Sequence, residues 1–155
     1  MNDFLLLKNL DILSKNPILL SLVIDNFYKF SIRKEKNILL VYLIIPLVLS
    51  ENTRLSLCNS KATSSLFTFC GNNNNISMLQ NKILNQKNLS IKSLYVSLSS
   101  KRLKLNDDLS IDFIKENEQI NNIYLEEKKA AKKLAFLLNS FDVNTIYRIF
   151  GVKFI

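Results

Sequence analysis

Between Lys61 and Leu105 the chain carries seven lysine or arginine residues and no aspartate or glutamate. Lys87, Lys92, Lys101, Arg102 and Lys104 fall in the second half of that stretch. Cations gathered without counter-charges form a surface suited to the phosphates of a nucleic acid. Base reading is poorly supplied, because the polar positions of residues 91–100 are mainly Ser, with no Arg, Asn or Gln to hold a base edge. The other reading of the same lysines is a solvated basic face. Acid–base and metal chemistry find little to work with. There is no histidine, and Cys58 and Cys70 have no companions at metal-ligand spacing. Neither a zinc site nor a His-assisted nucleophile can be assembled from them, so the expectation is no catalytic residue, no metal and no cofactor.

Arg54 is a second chemical candidate, at the end of the stretch ILLVYLIIPLVLSENTR. A guanidinium there can grip a carboxylate or phosphate with two bonds, or it can cap the free carbonyls of the preceding helix. The apolar run ahead of it, residues 38–49, is shorter than the roughly 18–20 residues a membrane span requires. It predicts a buried helix, kinked at Pro46.

These side chains need elements to place them. Asn16 followed by Pro17 predicts a helix start, since Asn accepts from free N–H groups and Pro lacks the one that would go unpaired. The helix runs to about Phe30, with Leu19, Leu22, Val23, Phe27 and Phe30 facing the core. The charged RKEKN forms a turn. Ser50 to Arg54 predicts a polar break, ATSSLFTFC a short helix with Leu66, Phe67 and Cys70 on one side, and GNNNN a turn. Residues 76–86 then place Ile76, Leu79, Ile83 and Leu84 at helical spacing. Asn88 and Leu89 predict another turn, and Ser90 the cap of a helix that turns Ile91, Leu94, Tyr95 and Leu98 inward.

Alternation in KRLKLNDDLSIDF, around Asn106 to Asp108, predicts a β-hairpin. Three short helices and a hairpin across residues 62–113 give the order of a winged helix-turn-helix. The acidic segment 114–127 links it to a helical pair at 128–155. There Ala131, Leu134, Ala135 and Leu138 face inward, Lys128, Lys129, Lys132 and Lys133 outward, and a last short helix stops at Gly151.

Two glycines and two prolines among 155 residues leave few turn formers, and 48% hydrophobic with 22% charged residues is an ordinary globular balance. The expected fold is mainly α (α+β), one domain over 1–155 containing the winged-helix-like unit and its small hairpin wing. The N-terminal MNDFLLLKNLDILSKNP lacks the basic start and long apolar core of an export signal. A cytoplasmic protein with reduced thiols is therefore expected.

The sequence resembles the middle component of three-component ABC systems (ABC-3C middle components), found in bacterial conflict loci related to Lamassu-type antiphage defence. The resemblance rests on NPILLSLVIDNFYKF (16–30), IIPLVLSENTR (44–54), TSSLFTF (63–69), KKAAKKLAFLL (128–138) and TIYRIFGVK (145–153). The family often has a His-Lys type pair where Ser50, Glu51 and Asn52 stand here, and a Pro where Phe154 stands. The resemblance implies a non-enzymatic adaptor that binds an SMC-like or Rad50-like ABC ATPase and an effector, often a nuclease, and couples DNA sensing to that effector. It directs partner binding to Thr53 and Arg54 and to the C-terminal tail with Gly151 and Lys153. The alternative from the residues alone is a free-standing winged-helix transcriptional regulator. A membrane-associated protein and a hydrolase rank below both.

Overall fold

The computed structural model describes residues 15–32, 37–117 and 122–153. The N-terminal segment, most of the RKEKN turn and part of the acidic linker lie outside the described residues. In chain order the elements are α1 (Pro17–Phe30), a 3-10 turn (Ile38–Leu40), α2 (Val41–Leu49), α3 (Glu51–Asn59), α4 (Leu66–Cys70), α5 (Asn73–Ile76), α6 (Leu79–Ser99), β1 (Leu103–Leu105), β2 (Ile111–Phe113), α7 (Leu125–Leu138) and α8 (Val143–Ile149). The fold is mainly helical with a small two-stranded antiparallel sheet.

Asn16 and Pro17 act as expected: Asn16 Oδ1 accepts from the Ile18 N–H at 2.9 Å and Pro17 opens α1. The buried face of α1 is wider than the predicted stripe. Leu20, Ser21, Val23, Ile24, Asp25 and Tyr28 are buried, whereas Leu19 and Phe30 are half-buried. The reason is position: α1 packs against α6 on one side and α7 on another, and also touches α2 and β2. Helix α2 packs on α6, and α3 on α7. Two buried tyrosines lock the approach to α2, Tyr28 donating to the Asn37 carbonyl at 3.0 Å and Tyr147 to the Leu39 carbonyl at 2.6 Å.

The apolar run is a core segment, with Val41, Leu43, Ile44, Ile45, Pro46, Leu47 and Val48 buried. Pro46 lies inside α2, where it has no N–H to offer the Tyr42 carbonyl. Among the described residues no single helix is long and apolar enough to cross a membrane. The predicted break at Ser50 to Arg54 is instead a corner one residue long: Ser50 is extended, α3 starts at Glu51, and the chain bends by 96°.

Two turns expected from local chemistry are helical. Asn73 to Ile76 forms α5, and Asn75 is buried with its amide donating to the Phe69 carbonyl at 2.7 Å and the Ser56 hydroxyl at 3.0 Å. Asn88 to Ser90 lies within α6, a single 21-residue helix. Its inward face includes Ser90, Ser93 and Ser97, all fully buried, with Ser97 Oγ donating to the Ser21 carbonyl of α1 at 3.2 Å. Small residues let α6 approach α1 closely, and that packing outweighs the weak local preference of Asn and Ser for turns. Two short helices, one long helix and the hairpin therefore occupy the stretch expected to hold a winged helix-turn-helix. On α4, Leu66 and Cys70 face the core, but Phe67 points out and stacks edge-on against Phe141 at 5.7 Å.

The expected hairpin forms, pairing Leu103 with Phe113, Lys104 with Asp112 and Leu105 with Ile111, while Leu109, which the alternation put in the second strand, lies in the turn at φ +63°. The Ile38 N–H donates to the Leu109 carbonyl at 2.9 Å, which fastens the hairpin tip to the chain before α2. Helix α7 buries Ala131, Leu134, Ala135 and Leu138 as expected. After α8, Gly151 takes φ +65°, the Val152 N–H reaches the Tyr147 carbonyl at 3.0 Å and the Gly151 N–H the Arg148 carbonyl at 3.0 Å. A Cβ at Gly151 would touch nothing within 4 Å, so only backbone strain opposes alanine. Gly151→Ala is expected to cost about 1 kcal/mol, read as a drop of roughly 2–4 °C in the melting midpoint; an unchanged midpoint would show that the left-handed cap is dispensable.

Candidate functional site

The sequence-derived candidates separate into three groups once placed in the fold. Thr53 and Arg54 belong to the α2–α3 corner. Thr53 is buried, its hydroxyl donating to the Ser50 carbonyl at 3.2 Å, and so has no surface to offer a partner. Arg54 sits between the negative end of α2 and the acidic first turn of α7. Its guanidinium donates to the Val48 and Leu49 carbonyls, both at 3.4 Å, while Glu126 and Glu127 stand at 3.7 Å. Both readings of its chemistry meet in one residue, cap and carboxylate clamp, but within the chain. Gly151 and Lys153 are exposed, and the Lys153 N–H donates to Gln80 Oε1 at 2.9 Å. The tail is thereby fixed to the start of α6.

The basic candidates are divided by Arg102. The preceding helix ends with Lys101 in the left-handed region, φ +54°, and the Arg102 N–H bonded to the Ser97 carbonyl at 3.0 Å. That turn aims Arg102 into the core, where it is 6% exposed, its Nε donating to Asp25 Oδ2 at 2.6 Å and its Nη2 to the Ser21 hydroxyl at 2.5 Å. The expectation that Arg102 meets phosphate is corrected by this burial. Burial raises the Asp25 carboxyl above its ordinary value, with Ser97 and Arg102 pulling it back down, and Asp25 Oδ1 has no hydrogen-bond partner. Lys87 is half-buried with its ammonium 5.9 Å from the Tyr42 ring. Lys92, Lys101 and Lys104 are exposed.

A surface that the sequence reading missed lies among these lysines. Leu84, Ile91 and Tyr95 are 52%, 42% and 69% exposed. At about 100° per residue they fall within roughly 40° of one another on α6, flanked by Lys87 on one edge and Lys92 on the other. Leu98, further along the same side, opens onto a groove of about 490 Å³ lined by Leu98, Leu103, Leu105 and Ile114, with Lys101 and Lys104. Taking 76–86 and 90–100 as separate helices hid the strip, because Ile91 and Tyr95 were turned inward; one continuous wheel over 79–99 would have revealed it.

Elsewhere the side chains offer little for catalysis. Among the described residues no group of three or more Cys, Asp or Glu is placed to hold a metal ion. Cys70 is buried and its thiol is pushed up to about 11 by burial; Cys58 is half-buried, also raised by burial, and donates to the Glu126 carbonyl at 3.5 Å. Raised thiols are poor nucleophiles at neutral pH. A polar cavity of about 240 Å³ borders Asp25, Asn26, Lys29, Glu116 and Lys128, with Lys29 ion-paired to Glu116.

Compared with known families, residues 7–154 match that described as ABC-three component (ABC-3C) system Middle Component 3. No curated protein and no solved structure matches the chain.

Proposed function

The chain belongs to the ABC-three component (ABC-3C) system Middle Component 3 family, and from that premise we propose that it is a non-enzymatic adaptor subunit. Its partners are an SMC-like or Rad50-like ABC ATPase and an effector, and it transmits DNA sensing by the ATPase to the effector within a bacterial conflict or antiphage defence system. It works in the cytoplasm. The observation that carries this reading is the exposed apolar strip Leu84, Ile91 and Tyr95 running into the apolar groove. Contiguous exposed apolar surface rimmed by polar groups marks a place where another protein sits.

Coexpression with the proposed ATPase and effector subunits tests the reading. All three subunits are expected to coelute on size exclusion, and omission of this chain is expected to separate the other two. An ATPase and effector that associate and respond to DNA equally well without it would refute the adaptor role.

A further inference from the structure

We propose that the α6–hairpin face docks an acidic, apolar-bearing segment of one partner subunit, and that its lysines serve protein recognition before nucleic acid. The inference rests on the adaptor reading and specifies where that adaptor is held and by what chemistry.

Two properties of the face define the occupant. The first is apolar surface in a shape that accepts side chains. Leu98, Leu103, Leu105 and Ile114 wall the groove, and Ile91 and Tyr95 continue it along α6 at helical spacing. A phosphate backbone gains nothing from leucine and isoleucine, whereas the apolar side of an amphipathic helix does. The second is charge. Lys87, Lys92, Lys101 and Lys104 border this surface, and no carboxylate occurs between Lys61 and Leu105. The hairpin's carboxylates Asp107, Asp108 and Asp112, the last opposite Lys104 and hydrogen-bonded by the Asn106 amide at 2.8 Å, lie outside the residues that line the groove. Complementarity therefore calls for a segment whose apolar residues are flanked by Asp or Glu, with the carboxylates setting register and encounter rate.

The hairpin tip is consistent with this assignment. Leu109 is 53% exposed and holds φ +63°, a conformation glycine adopts without strain. A large apolar residue kept there, in solvent, breaks a local rule without any gain visible within the chain. Leu109→Gly is accordingly expected to stabilise the isolated protein slightly while weakening assembly.

The test uses the full chain with the proposed ATPase and effector subunits, in three forms: wild type, Ile91→Ser with Leu105→Ser, and Lys101→Glu with Lys104→Glu. The substituted positions are exposed, and melting midpoints measured alongside report whether each form is folded. Both double variants are expected to bind one partner about tenfold or more weakly. Carbodiimide, which joins amines to carboxylates in contact, is expected to link Lys101 or Lys104 to Asp or Glu of that partner. Unchanged assembly in both folded variants would overturn the docking surface and leave the adaptor reading standing; failure of the wild type to join either subunit would remove both. Salt-sensitive binding of duplex DNA by the isolated chain, abolished by the lysine variant while assembly persists in both variants, would overturn the proposal in favour of a phosphate-reading face.

Discussion

Arg102→Ala is expected to destabilise the fold by about 3–5 kcal/mol, the usual cost of leaving one partner of a buried ion pair behind. A domain of this size has about 5–15 kcal/mol in all, so the variant retains a small margin or none. The magnitude follows from what remains after the truncation. Asp25 is 5% exposed, its Oδ2 loses the guanidinium at 2.6 Å, and its Oδ1 already lacks a partner. Removing both groups is expected to do less harm than removing one, because the double variant Asp25→Leu with Arg102→Met buries no uncompensated charge. Urea denaturation followed by circular dichroism measures all three proteins.

The same variant carries a pH signature. In the wild type, burial holds the Asp25 carboxyl above its ordinary value and Arg102 lowers it through a hydrogen bond and its charge. Without Arg102 the folded-state value rises further. A group raised in the folded state gives its full stability below the unfolded value, about 3.9 for Asp, and that stability is lost as pH rises through the folded value. The gap between wild type and Arg102→Ala is therefore expected to narrow on acidification and widen toward neutral pH. A gap independent of pH, or a loss below 1 kcal/mol, would mean that Asp25 is solvated in the folded chain.

Arg102 also shows where sequence reading stops. It lies between two lysines, on the first residues of a hairpin, in an acid-free stretch; every local signal makes it a surface cation. Its partner is 77 residues away on α1, and nothing in the periodicity of α1 distinguished Asp25 from a solvent-facing acid. Features with a local cause were legible: the Asn16 cap, the existence of the hairpin and the stop at Gly151 each depend on residues within a few positions. Features with a tertiary cause were not. Ser90, Ser93 and Ser97 look like cap and turn residues until α1 is set against them, and only then is it clear that small side chains face in while Ile91 and Tyr95 face out. The corner at Ser50 to Arg54 failed in the same way, since five polar residues read as a break although Thr53 is tucked under the corner and Arg54 reaches back to α2.

Arg54→Glu is expected to act on the fold first and on assembly only through it. The guanidinium is largely buried, at 19% side-chain exposure, and holds three elements together: α2 through two carbonyls, α3 on which it sits, and α7 through Glu126 and Glu127. Reversal removes the cap from the negative end of α2 and brings a third carboxylate to the first turn of α7. Glu126 is well exposed, so its pairing is worth little, but Glu127 is not, and the combined loss is about 2–3 kcal/mol. For a chain of this length that lowers the melting midpoint by roughly 5–10 °C, and added salt is expected to recover part of it. Arg54→Lys, which keeps the charge but not the fork, is expected to fall between. If Arg54 serves only this corner, assembly with the partner subunits declines in proportion to the unfolded fraction and returns at lower temperature. A variant that melts like the wild type yet fails to assemble would instead place Arg54 at an interface, and the clamp between α2 and α7 would be incidental.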